Sequence, residues 1–153
     1  MTDAERDDAR RRRARFIVLG GKPTFSAAES HDRVPIEKCP ALHPALSAAL
    51  ALVPNARLSD RTGLRIAVDD QGHVSAALDG GTTDDAARLV AAGAVRGAIA
   101  LENDEEVGRA GDPLLYGEIA PGFGNCVSDA ATFTQATRFG GSAILRAVLD
   151  ATG

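Results

Sequence analysis

Apolar and polar residues alternate from Arg13 to Leu19, and the alternation stops at Gly20-Gly21. Period-two patterning sends successive side chains to opposite faces of a strand, and paired glycines supply a tight turn. The pattern predicts a strand, a hairpin turn and a return strand over Thr24 to Ala28. Val34 to Ile36 is a short apolar stretch that fits a third strand leading into Cys39-Pro40. The period then changes. Leu42, Leu46, Leu50 and Val53 recur at helical spacing, with Pro44 near the start, where the missing N–H costs nothing. Pro54 is expected to end this helix.

Alternation returns in Leu64 to Val68, followed by Asp69-Asp70-Gln71-Gly72 and a partner stretch from His73 to Leu78. Turn residues between two strand patterns predict a hairpin. Thr82 or Thr83 is a candidate cap for a helix over Asp84 to Ala92, and Gly93 is its stop. Gly97 to Leu101 reads as a short buried strand. Glu102 to Asp112 is acidic and contains glycine, so an exposed loop is expected there. Leu114 to Ile119 predicts another strand, Pro121 to Asn125 a loop, and Thr132 to Gln135 a strand end or tight connection. Phe139 to Asp150 carries Ile144, Leu145, Val148 and Leu149 on one side and predicts a third helix.

This order gives an α+β domain, a mainly antiparallel sheet with about three helices packed on one face. Residues 1–9 are polar and expected to be disordered, leaving residues 10–153 as one domain. With 44% apolar residues a core is affordable. Only 4% are aromatic and there is no Trp, so Ala, Leu and Val must fill that core.

The net charge of −4 argues against a surface coated in basic charge for nucleic acid, although a local patch remains open. Arg10, Arg11, Arg12, Arg13 and Arg15 form such a patch directly after Asp3, Glu5, Asp7 and Asp8. The run fits either a solvated charged stretch or a set of RNA backbone contacts, since the guanidinium fork matches phosphate. Cys39 and Cys126 are far apart and form no CxxC pair, which leaves neither a zinc site nor a disulfide framework. Each reads most simply as a small buried apolar side chain. The residues around Cys126 include no base or cation to activate a thiol. His31, His43 and His73 are scattered. PGFGN (121–125) is too short, and lacks the flanking elements, to be a dinucleotide loop. No apolar h-region or membrane-length run is present, so a cytoplasmic location is expected.

Three segments in order point further. They are Arg11-Arg12-Arg13-Ala14-Arg15-Phe16, then Ser30-His31-Asp32-Arg33-Val34-Pro35-Ile36-Glu37-Lys38-Cys39-Pro40 with Leu42, then Thr132-Phe133-Thr134-Gln135-Ala136-Thr137. Together, across residues 10–150, they resemble the central region of the S-adenosylmethionine-dependent RNA 5-methyluridine methyltransferases, which act on ribosomal or transfer RNA. The resemblance implies that Gln135 contacts the methyl donor. It also implies that Arg10 to Arg13 and Arg15 face RNA, and that Cys39 stands where many members place the last ligand of a [4Fe–4S] cluster. The upstream C-x5-C-x2-C pattern that supplies the other ligands has no counterpart here, so no cluster is expected.

Members of that family continue into a Rossmann-like domain with a D-x-[FY]-[CA]-G-x-G loop, a late cysteine that attacks uracil C6, and a glutamate base. None of these follows Gln135 here, and Cys126 precedes it. The expectation is a truncated or split uracil-5 RNA methyltransferase. The chain would be its RNA-positioning region, inactive alone, not binding S-adenosylmethionine tightly and served by a separate catalytic polypeptide. An RNA-binding module without catalysis and a non-enzymatic interaction domain from a decayed gene are the alternatives.

Overall fold

The expected hairpin forms between β1 (Arg13–Leu19) and β2 (Lys22–Ser26), with Gly20 and Gly21 both at positive φ in the turn. The structure is a computed structural model that describes residues 10–26, 32–118, 124–132 and 137–152. The expected disordered stretch 1–9, His31, Gln135 and the far end of the predicted second strand lie outside these residues. β3 (Arg33–Pro35) extends the edge beside β2. β1 also pairs antiparallel with β4 (Gly63–Val68), which forms the second hairpin with β5 (Val74–Asp79).

Between these hairpins lie α1 (Pro44–Leu52) and a 3-10 turn, Val53–Ala56. Pro54 therefore tightens the chain into this turn rather than ending helical structure at once; proline is tolerated in the first turn of either helix type. α2 (Thr83–Ala91) is capped by Thr82 in a reciprocal box with Asp85 and stops before Gly93, at φ 72°. It carries the chain from β5 to β6 (Gly97–Glu102), the one parallel pairing among the described strands. β7 (Glu105–Gly111) closes the sheet in the order β3-β2-β1-β4-β5-β6-β7.

β7 corrects the expectation of a loop over Glu102 to Asp112. An edge strand needs main-chain partners on one side only, so its exposed acidic side chains do not forbid it. Gly108 is required by packing: a Cβ there would lie 2.0 Å from Thr83 Oγ1 of α2.

The register sorts the side chains by face. Phe16, Leu64, Ile66, Leu78 and Ala98 lie on the face covered by α1 and α2, where they pack with Leu46, Leu50 and Leu89. Phe16 stacks on Phe25 with ring centroids 4.5 Å apart. The opposite face presents Arg13, Arg15, Arg65, Ala67, Ala77 and Ile99. After β7 the chain crosses to this second face over Gly97, where a Cβ would lie 2.1 Å from the Asp112 carbonyl carbon. It then forms a small antiparallel hairpin, β8 (Leu115–Glu118) with β9 (Asn125–Ser128). Leu115 and Ala130 close a minor core over Ala67, Ala77, Ile99 and Leu101.

α3 (Arg138–Thr152) is the third expected helix. It lies beside this hairpin instead of joining α1 and α2. The α+β class and the mainly antiparallel sheet are as the sequence implied; the shared face for all helices is not. No helix among the described residues is long and apolar enough to cross a membrane.

Candidate functional site

Where β8, β9 and α3 approach the start of β1, they enclose a cleft of about 510 Å3. Its polar residues are Arg12 and Arg13 from the N-terminal strand, Asp69 and Asp70 from the β4–β5 turn, and Ser128, Thr132 and Thr137. Its apolar wall comes from Leu115, Val127, Ile144, Leu145 and Val148. Tyr116, Gly117, Glu118 and Cys126 complete the hairpin side.

The arginine run is split by this geometry. Arg11 is exposed, and its main chain bridges the segment before α1, donating to Ala41 O at 2.8 Å and accepting from His43 N at 2.9 Å. Arg12 turns inward, donates to Asp69 O and pairs with Asp70 Oδ1 at 3.3 Å. Arg13 also turns inward. One Nη donates to Thr132 O and the other to Asp129 O, the latter at 2.7 Å. Burial lowers the Arg13 pKa from its ordinary value, with the charges of Asp129 and Cys126 opposing that shift. Arg15 stays exposed and pairs with Asp79 at 3.0 Å. Arg10 is half-buried.

The acids of the β4–β5 turn serve structure. Asp69 Oδ1 accepts from Gln71 N at 2.9 Å and His73 N at 2.8 Å, while Oδ2 lies 3.1 Å from His73 Nδ1. Burial pushes the Asp69 carboxyl up, but these hydrogen bonds outweigh it and hold the pKa below the ordinary value. Asp70 Oδ2 accepts from Glu118 N at 3.1 Å, which ties β8 to this turn. A Cβ at Gly117 would come within 3.1 Å of the same oxygen. His73 Nδ1 also lies 2.9 Å from Arg96 Nη1, and Arg96 donates onward to Leu114 O. His43 caps α1, its Nδ1 accepting from Ala45 N at 3.2 Å.

Cys39 is half-buried against the α1 core, and its carbonyl accepts from Leu42 N and Ser47 Oγ. Cys126 lines the cleft across the sheet. The cationic neighbour that its local sequence lacks comes from β1, in Arg13. The two thiols therefore belong to different parts of the fold. Among the described residues no group of three His, Cys, Asp or Glu side chains could hold a metal ion. Gln135 lies outside the described residues, and Thr132 and Thr137 are the described residues on either side of it. Sequence reading missed Asp70 and Tyr116 as residues lining the cleft and Asp129 as an acceptor for Arg13. Each is ordinary in its local pattern and gains its place only through pairing across more than forty residues.

No family model matches the chain, and no curated protein matches it. Among solved structures the chain is similar to the tRNA (uracil-54, C5)-methyltransferase of Pyrococcus abyssi, in its complex with S-adenosyl-L-homocysteine. The TM-score is 0.68 at 11% identity, over 93% of this chain and 40% of that one. The likeness establishes a related fold, and the chain spans well under half of that enzyme's length.

Proposed function

We propose that the chain is the RNA-positioning region of an S-adenosylmethionine-dependent RNA (uracil-5) methyltransferase, inactive alone and acting with a separate catalytic half. The observation that carries this reading is the fold likeness to a tRNA uracil-5 methyltransferase over 93% of the chain. The ordered segments around Arg11 to Phe16, Ser30 to Pro40 and Thr132 to Thr137 support it from the sequence side. On this reading the protein acts in the cytoplasm on transfer or ribosomal RNA, toward formation of 5-methyluridine.

The residues present have limited chemistry for that task. Exposed Arg11 and Arg15, with half-buried Arg10, offer charge to an RNA backbone. S-adenosylmethionine would supply the methyl group. Such a cofactor sits in a crevice at the carboxyl ends of parallel strands. Among the described strands only β5 and β6 run parallel; β5 leads through Gly80-Gly81 into α2, whose first turn is closed by the Thr82–Asp85 box, and β6 ends at Glu102. On this reading the crevice belongs to the catalytic half, to which Gln135 would add one contact.

The test has two arms. Incubation with S-adenosylmethionine and uridine-containing RNA should give no methylation above a blank; turnover would refute inactivity. A mobility-shift titration should show RNA binding whose salt slope falls by about one for each of Arg10, Arg11 and Arg15 changed to Ala. No shift at low salt would end the RNA reading.

A second reading has its own observation. Ile144, Val148 and Leu149 on α3 are each about half exposed, as are Tyr116 and Val127 on the hairpin. A patch of this kind suits an interaction domain without an RNA role. Light scattering that finds self-association, together with no RNA shift, would favour it.

A further inference from the structure

We propose that the cleft between the β8–β9 hairpin and α3 binds a phosphate ester carrying a flat base, with the phosphate at Arg13 and the base against the apolar wall. The ester belongs either to one nucleotide of an RNA strand or to a free nucleotide. The proposal rests on the RNA-positioning reading and moves its centre from the exposed arginines into a cavity.

A guanidinium has five N–H donors. In Arg13 two are directed at the carbonyls of Asp129 and Thr132, and among the described residues no carboxylate forms an ion pair with it. The nearby Asp129 carboxylate is engaged locally, accepting from Ala131 N, Thr132 N and Thr132 Oγ1 at 2.8–2.9 Å. A partly buried cation answered only by carbonyls keeps much of its desolvation cost. An oxyanion meeting its remaining donors would recover that cost through charge-assisted hydrogen bonds.

About 510 Å3 lies within the range of small-ligand pockets. Ile144 and Val148 give an aliphatic wall, and Tyr116, 45% exposed, gives an aromatic ring on which any base can stack. The acids at the cleft are already engaged: Asp69 by Gln71 and His73, Asp70 by Arg12 and the Glu118 main chain. Glu118 itself is exposed to solvent.

Cys126 makes the site readable, because it lines the cleft while Cys39 does not. In a Cys39→Ser background, alkylation of Cys126 by iodoacetamide is followed with increasing uridine 5′-monophosphate. Saturable protection is expected. Uridine alone or inorganic phosphate alone should need at least tenfold higher concentration, as two halves of one ligand. Arg13→Gln should weaken protection at least tenfold, Arg13→Lys less, and Lys22→Gln not at all. Val148→Glu changes an exposed residue and puts like charge in the cleft, so it should abolish protection even if Arg13→Gln fails to fold. Absence of protection at millimolar nucleotide, or equal protection in folded Arg13→Gln and Val148→Glu, overturns the proposal. Nucleotide protection without any RNA mobility shift would sink the RNA-positioning reading and leave a free-nucleotide site. An RNA shift that leaves Cys126 unprotected would do the reverse.

Discussion

The two faces of the sheet are built by different means. The face under α1 and α2 is a continuous apolar layer in which Phe16, Leu46, Leu64, Leu78 and Leu89 are almost wholly buried. The opposite face has a minor core in which Ala67, Ala77 and Ala130 join Ile99, Leu101 and Leu115, and beyond it the segment before β8 and the turn after β9 are held by arginines reaching main-chain oxygens. Apolar burial is non-directional and tolerant of small shifts, whereas a guanidinium on two carbonyls fixes a position while remaining charged. The first face stabilises the domain; the second leaves a cavity open.

The sharpest way to break this contrast is to truncate one residue on each side. Leu89→Ala should cost about 2–5 kcal/mol, because Leu89 is fully buried between α2 and the sheet. Ile144→Ala on α3 should change stability by less than about 0.5 kcal/mol. Urea denaturation of both variants decides it, and equal losses would mean that α3 belongs to the main core.

A smaller effect is expected at Asp85, which holds α2 to the loop before β4. It accepts from Thr82 N at 2.9 Å, Thr82 Oγ1 at 2.8 Å and Ser59 N at 3.3 Å, and pairs with Arg88 at 2.5 Å. Asp85→Ala should cost about 2 kcal/mol by loss of the cap and stranding of buried donors, measured by the same melts. Gly108→Ala should cost about 1–3 kcal/mol through the clash with Thr83, and Thr83→Ser should not relieve it, because the hydroxyl is the nearest atom.

Acid should act on both sides, through Asp85 on one and Asp69 on the other. Burial pushes both carboxyls up, yet hydrogen bonds bring both below the ordinary value. A depressed native pKa means the folded state binds its proton less readily than the unfolded state. That contribution is complete above the ordinary aspartate value of about 3.9 and is lost as pH falls through the lower native value. Melting temperature should therefore drop as pH falls from about 5 to 2. The drop should be shallower in Asp69→Asn, and shallower again when Asp85→Asn is added. An unchanged acid profile in the double variant would remove these groups from the account.

The main layer was legible because its signals are local. Leu42 to Val53 and the Thr82–Gly93 segment announce helices by period and caps, and Leu64 to Leu78 announces a hairpin by alternation around Asp-Asp-Gln-Gly. β7 was hidden because edge pairing with β6 outweighs an acidic sequence with no apolar alternation. β9 was hidden because Cys126 to Ser128 has strand character only once Leu115 to Glu118 lies beside it. The arginine run was visible as charge, but alternation alone did not say that Arg12 and Arg13 would turn inward; that depends on the β4–β5 turn for Arg12 and on carbonyls from the turn after β9 for Arg13.

Arg13 and its acceptors are separated by 116 and 119 positions along the chain. A ribosome adding about 5–20 residues per second needs roughly 6–24 s to cover that interval. Everything required for the α1 and α2 layer, through β7, emerges first. During this interval the two carbonyls that receive Arg13 have not yet been made, so the second face cannot close. Biogenesis thus gives the cavity side a later birth than the layer that supports it.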